Sequence, residues 1–106
     1  MKRILLGILC SSLLVPVLAQ EKKHSYVPKE GFVPDAATAM KIAEAVWTPI
    51  YGEKEIAEQK PFRATLKEDV WTVLGSFNHP PSWSGGVAVA EISKTTGQIL
   101  RVSHGK

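Results

Sequence analysis

Only one cysteine, Cys10, occurs in the 106-residue sequence, and it lies in an apolar N-terminal stretch. Disulfide frameworks, thiol catalysis and cysteine-based metal sites are therefore excluded downstream of it. Histidine is nearly as sparse. His24, His79 and His104 never fall at H-x-H or H-x-x-x-H spacing, so no metal site is expected. An excess of one charge is missing too. Lys and Arg number 13 against 10 Asp and Glu. Lys2 and Arg3 belong to the N-terminal stretch, and the near-neutral remainder carries no footprint for nucleic acid. No apolar run reaches the ~20 residues of a membrane-spanning helix. The G-x-S-x-G elbow is absent, and Ser82 and Ser84 beside His79 lack its strand-to-helix setting. Gly85-Gly86 precedes a strand instead of opening a helix, which excludes a phosphate loop. Neither an enzyme nor a cofactor is expected.

What is present begins with an export pattern. Lys2 and Arg3 form a positive n-region, and Ile4 to Leu14 an apolar h-region. Pro16 breaks it, and Val17-Leu18-Ala19 ends on a small residue. The pattern predicts a signal peptide over 1–19 with cleavage before Gln20, and hence a periplasmic or secreted protein with no stable membrane insertion. Cys10 follows Leu9, with Gly7 three positions before it, which is the wrong setting for a lipid anchor.

Residues 20–31 are polar, with Pro28 and Gly31, and read as an exposed lead-in arm. Residues 32–106 then form one domain. Asp35 after Pro34 predicts a helix N-terminus, and Ala39, Ile42, Ala43, Val46 and Ile50 recur at helical spacing. Pro49 predicts that the helix ends near Trp47. Trp47 and Tyr51 fit an aromatic lid where helix meets sheet, or a ligand cage. In Glu53 to Lys60 only Ile56 and Ala57 look buriable, and the segment suits a short helix or an edge strand.

Beyond Pro61 the period becomes two. Phe62, Ala64 and Leu66 alternate with Arg63 and Thr65, Lys67-Glu68-Asp69 turns, and Val70 to Phe77 resumes. Alternation places Trp71, Val73, Gly75 and Phe77 on one face, with Trp71 and Phe77 expected to meet the Ile42 and Val46 stripe. Val87 to Ser93 and Gln98 to Ser103 form a last hairpin, with Gly97 in a left-handed position. A Thr95–Gly97 loop pairs Lys94 with Gln98 and sets Glu91 opposite Arg101 as an ion pair, whereas a four-residue loop loses that register. The fold class is α+β: one main N-terminal helix packed on a three- to four-stranded antiparallel meander.

The candidate recognition surface is the loop from Asn78 to Ser84. Pro80 and Pro81 stiffen it, and Asn78, His79, Ser82, Trp83 and Ser84 are its candidate partner-binding residues. Trp83 either anchors a partner or folds back as a core plug.

Gly85-Gly86-Val87-Ala88-Val89-Ala90-Glu91-Ile92-Ser93-Lys94, Gly97-Gln98-Ile99-Leu100-Arg101-Val102 and His104-Gly105-Lys106 resemble the small bacterial nuclear-transport-factor-2-fold immunity proteins. Tyr26-Val27-Pro28, Gly31-Phe32-Val33-Pro34, Ala43-Glu44-Ala45-Val46-Trp47, Pro49-Ile50-Tyr51-Gly52 and Lys60-Pro61-Phe62 fit the same pattern. The resemblance implies a reduced nuclear-transport-factor-2-like (cystatin-like) fold. It also implies an immunity protein that neutralises a cognate protein toxin, or another exported protein, by binding it. The stretch Glu91 to Leu100 also resembles the last hairpin of PepSY domains, which implies a peptidase-regulating module as the alternative. A small-ligand enzyme on the same scaffold is a third.

Overall fold

The computed structural model describes residues 24–78 and 85–105. Residues 1–23, 79–84 and 106 lie outside them, and with them the expected signal peptide and His79, Ser82, Trp83 and Ser84. Two helices, α1 (Ala36–Tyr51) and α2 (Glu53–Ala57), precede four strands: β1 (Arg63–Lys67), β2 (Val70–Leu74), β3 (Ala88–Ser93) and β4 (Ile99–His104). The strands form one antiparallel sheet in the order β1-β2-β3-β4. The α+β class and the helix-on-meander architecture are thus as expected.

Helix α1 starts where Asp35 accepts the Thr38 backbone N–H at 2.8 Å. Hydrogen bonding from Thr38 holds the Asp35 carboxyl below its ordinary range. The helix does not end at Trp47: it runs one turn further, with Pro49 inside it. Proline removes one donor near the C-terminal end, and this end is otherwise well supplied. Thr48 Oγ1 donates to the Glu44 carbonyl at 2.7 Å, and the Gly52 N–H closes the last turn on the Thr48 carbonyl at 2.9 Å. The buried positions are Ala39, Ala43 and Trp47, spaced four apart. Ile42 and Val46 flank this stripe half-buried, and Ile50 is exposed. The two alanines let the helix approach the sheet closely, and Trp47 fills the space beyond them.

The sheet answers with Trp71, Val73, Ala88, Ala90 and Ile92, all buried. Ala64 and Val102 extend this face onto the outer strands. Phe77 does not share it: β2 ends at Leu74, the buried alternation carries on only to Gly75, and Phe77 is exposed. Leu66 points to the same side as Trp71 but lies on an edge strand, half uncovered. Trp47 Nε1 donates to the Val89 carbonyl at 3.2 Å, and its ring meets Phe62 edge-on at 5.2 Å. Trp47 is therefore a core residue bridging both layers, as an aromatic lid would be.

The hairpin between β3 and β4 corrects one expectation and keeps its consequence. Its loop is four residues, Lys94 to Gly97, closed by Ser93 N–H to the Gln98 carbonyl and Gly97 N–H to the Ser93 carbonyl, each 2.9 Å. Ile92 then pairs with Ile99, and Leu100 is the extra residue of a β-bulge. The bulge restores the register, so Glu91 lies opposite Arg101 after all, with Arg101 Nη2 donating to Glu91 Oε2 at 3.2 Å.

One end of the sheet is knotted by backbone bonds. The Lys94 N–H reaches the Asp69 carbonyl at 2.9 Å, and Thr95 Oγ1 donates to the Asp69 carboxylate at 2.8 Å. Glu68 and Asp69 both hold positive φ in the tight β1–β2 turn, so this bracing supports a conformation that side chains disfavour. The same end receives the segment before α1. Phe32 and Val33 N–H groups donate to the carbonyls of Thr95 and Lys94, and Trp71 Nε1 donates to the Val33 carbonyl at 2.8 Å. Gly31 is buried at φ +87, where an added Cβ would fall 2.4 Å from the Lys94 carbonyl oxygen. The arm is therefore docked from Gly31 onward. Because Trp71 joins core packing to this docking, Trp71→Ala should cost ~3–5 kcal/mol of stability in a denaturant titration. An unchanged midpoint would mean that the covered face has been misassigned.

Candidate functional site

The opposite end of the sheet carries the root of the 78–84 loop, and the residues around it are tied together by Gln59. This residue closes the turn after α2 and is 1% exposed, the one buried polar side chain among the described residues. Its Oε1 accepts the Ala88 N–H at 2.8 Å, at the start of β3. That donor fixes which way the carboxamide points, so Nε2 is left with two hydrogens to place. One goes to Glu55 Oε2 at 2.9 Å and the other to His104 Nε2 at 3.1 Å. His104 can accept there because its Nδ1 faces the Gly105 carbonyl at 2.8 Å, which assigns the ring hydrogen to Nδ1. The Tyr51 ring packs on the imidazole, 5.0 Å between centroids. Every polar atom of the Gln59 side chain is thus satisfied, and α2, β3 and β4 meet at one group.

Gln59 lies directly over Gly75, where an added Cβ would sit 2.2 Å from its Oε1. The neighbouring Gly86 faces the Gly105 backbone just as tightly. Two glycines thus permit a close approach that any side chain would block.

From this joint the loop root is fixed atom by atom. The Ser76 N–H donates to the Gln59 carbonyl at 2.7 Å, and its hydroxyl to the Pro61 carbonyl. Asn78 Nδ2 donates to the carbonyls of Glu58 at 3.1 Å and Lys60 at 2.8 Å. Of the five expected binding residues, Asn78 is the one within the described part. Its carboxamide nitrogen anchors the loop to the α2–β1 connection. The Glu91–Arg101 pair lies elsewhere, on the sheet face turned away from the helices.

An open groove of about 550 Å³ runs beside α1, lined by Ala37, Met40, Lys41, Glu44, Lys60, Pro61 and Phe62. Lys60 Nζ spans it to Glu44 Oε2 at 3.0 Å and also lies over the Phe62 ring. Its walls are mainly apolar and it stands wide open to solvent. No group of three or more His, Cys, Asp or Glu residues able to hold a metal occurs among the described residues.

Gln59 was not legible beforehand. In its segment Ile56 is buried as expected, but Ala57 is exposed and the polar Gln59 takes the buried place. The only available signal was the i, i+4 spacing of Glu55 and Gln59 on a short helix, which is too common to single out a residue.

Residues 38–106 match the model of the NTF2 fold immunity protein family. The chain belongs to this family. Two proteins of Escherichia coli (strain K12) are similar to it, and both carry the name of uncharacterized proteins. YhhH is 31% identical over 97 residues, covering 92% of this chain and 75% of YhhH. YbbC is 37% identical over 68 residues, covering 64% of this chain and 55% of YbbC. No solved structure matches the chain. The match falls on immunity proteins and lends no support to the PepSY reading.

The immunity family's matched region begins inside α1 and takes in the Gln59 joint, so the joint belongs to the scaffold that presents the loop. Gln59→Leu keeps the bulk but strands the buried Ala88 N–H. It should lower stability by ~1–3 kcal/mol in chemical denaturation. A variant as stable as the wild type would show that the carboxamide fills space only.

Proposed function

We propose that this chain is an exported immunity protein that neutralises a cognate toxin by binding it one to one, with the Asn78–Ser84 loop in or beside the contact. Membership of the NTF2 fold immunity protein family is the observation that carries this reading. The leader pattern of residues 1–19 adds that the toxin is met in the periplasm or outside the cell. Among the described residues no helix is long and apolar enough to cross a membrane.

Binding without turnover is supported by what the charged and polar groups are doing. Both nitrogens of His104 are engaged in holding the fold, and Glu91 is held by Arg101. The apolar groove beside α1 lies open and encloses no reaction volume. Neutralisation then means covering a working surface of the toxin. A loop stiffened by Pro80 and Pro81, on a root pinned through Ser76 and Asn78, loses little freedom on binding. In this reading Trp83 is the anchor, and Asn78, His79, Ser82 and Ser84 form its polar rim.

The test takes the protein from the periplasm, where its intact mass is expected to correspond to a chain starting at Gln20. Toxin activity is titrated with wild type and with Trp83→Ala, alongside melting curves. Protection should saturate near equimolar protein, and Trp83→Ala should weaken binding by more than ~1 kcal/mol at unchanged stability. Protection by trace amounts would mean turnover and overturn the mechanism. Equal protection by Trp83→Ala would move the contact away from the loop.

A further inference from the structure

The sheet has a second face, which neither α1 nor α2 covers among the described residues. Register and burial define it without ambiguity. Ala64, Trp71, Val73, Ala88, Ala90, Ile92 and Val102 turn toward the helices, so their strand neighbours turn away. One row across the outer face reads Arg63, Leu74, Val89, Ser103, and the next reads Thr65, Thr72, Glu91, Arg101. The third reads Lys67, Val70, Ser93. Its middle is therefore Val70, Thr72, Leu74 and Val89, all half-buried by one another. Its margins are cationic. Arg63 and Lys67 stand at the two ends of β1, ~13 Å apart, and Arg101 lies ~14 Å across the sheet on β4.

These cations differ in what they do. Arg101 is committed to Glu91 and Ser103, so that pair is neutral within itself. Arg63 and Lys67 have no hydrogen-bond or ion-pair partner among the described residues, and both are exposed. The β1–β2 turn beside Lys67 carries Glu68 and Asp69, the Asp69 carboxylate accepting from Thr95, whereas Arg63 stands at the far end of β1 from them. The strand residues of this face therefore carry net positive charge, Arg63, Lys67 and Arg101 against Glu91, around an apolar and hydroxyl-bearing centre. That is the layout of a protein contact with an unpaired cationic rim.

We propose that the outer face of the β-sheet, framed by Arg63 and Lys67, docks an acidic surface of the partner protein. This rests on the immunity reading and makes it more specific. The toxin presents carboxylates to β1 and a flat, partly apolar patch to Thr72, Leu74 and Val89. A toxin whose contact surface is itself cationic, as a nucleic-acid-binding enzyme's would be, does not fit this face. Because Arg63 and Lys67 are exposed and have no partner among the described residues, they add encounter rate and selectivity more than stability to the free chain.

The experiment uses the full chain and a purified toxin domain that it protects against, with binding followed by calorimetry at low and high salt. Arg63→Glu/Lys67→Glu should weaken binding by about tenfold or more, and wild-type binding should weaken as salt rises. Arg63→Gln/Lys67→Gln should fall between the two, and its melting temperature should equal that of the wild type. Lys41→Glu, a reversal on the helix layer, should change affinity by no more than about twofold. Wild-type affinity in both β1 variants would remove this face from the contact and leave the immunity reading standing. An equal loss in Lys41→Glu would reduce the effect to net charge and overturn the proposal. Self-association, or binding of a labelled DNA duplex, that disappears with Arg63 and Lys67 would assign the face to a second copy or to nucleic acid instead. A wild type that binds no toxin at all would fail the immunity reading first.

Discussion

The side chain of Gln59 is the joint that sets the geometry of one whole end of the molecule. A buried carboxamide has three hydrogen-bonding demands, and leaving any of them unmet is costly. Here each is met by a different element: Ala88 of β3, Glu55 of α2 and His104 of β4. The arrangement exists only because Gly75 has no side chain beneath it. Once Gln59 is seated, its own carbonyl receives Ser76, and the chain leaving β2 is directed along the α2–β1 connection toward Asn78. The loop from Asn78 onward therefore begins from a fixed platform.

The far end uses a different device. There the backbone of residues 31–33 is stitched to the β3–β4 turn, which is stitched in turn to Asp69. Trp71 and Trp47 spend their indole N–H groups on the carbonyls of Val33 and Val89, so the two largest core residues also carry directional bonds. A domain without cysteine can hold its shape in this way: aromatic volume in the middle and hydrogen-bonded knots at both ends.

Much of this was legible in the sequence. Period-two alternation located the first two strands, the turn at Lys94 to Gly97 located the last hairpin, and Asp35 located the helix start. The family pattern was carried by motifs that turn out to be structural. Gly31, Gly86 and Gly105 mark close backbone approaches, and Trp47 is the core bridge. What was not legible depends on tertiary context. Pro49 ends helices on average, yet this one runs on to Tyr51 and closes with the Gly52 N–H on the Thr48 carbonyl. The four-residue loop argued against the Glu91–Arg101 pairing until the bulge at Leu100 undid the shift, and no local signal announces a bulge. Gln59 looked solvated because polarity alone cannot distinguish a surface amide from a buried one with three partners. On the outer sheet face, the register was needed before Arg63 and Lys67, without a partner among the described residues, could be set apart from the paired Arg101.

The proposed contact lies on the outer sheet face and the Asn78–Ser84 segment, while the helix layer packs on the core. Backbone and methyl chemical-shift mapping of the labelled protein on addition of the toxin tests this most directly. The account predicts shifts that saturate at one equivalent and cluster on Arg63, Thr65, Thr72, Leu74, Val89 and the Asn78–Ser84 loop, with Ala39, Ala43 and Met40 unmoved. Shifts centred instead on the groove of Met40, Lys41 and Phe62 would contradict it.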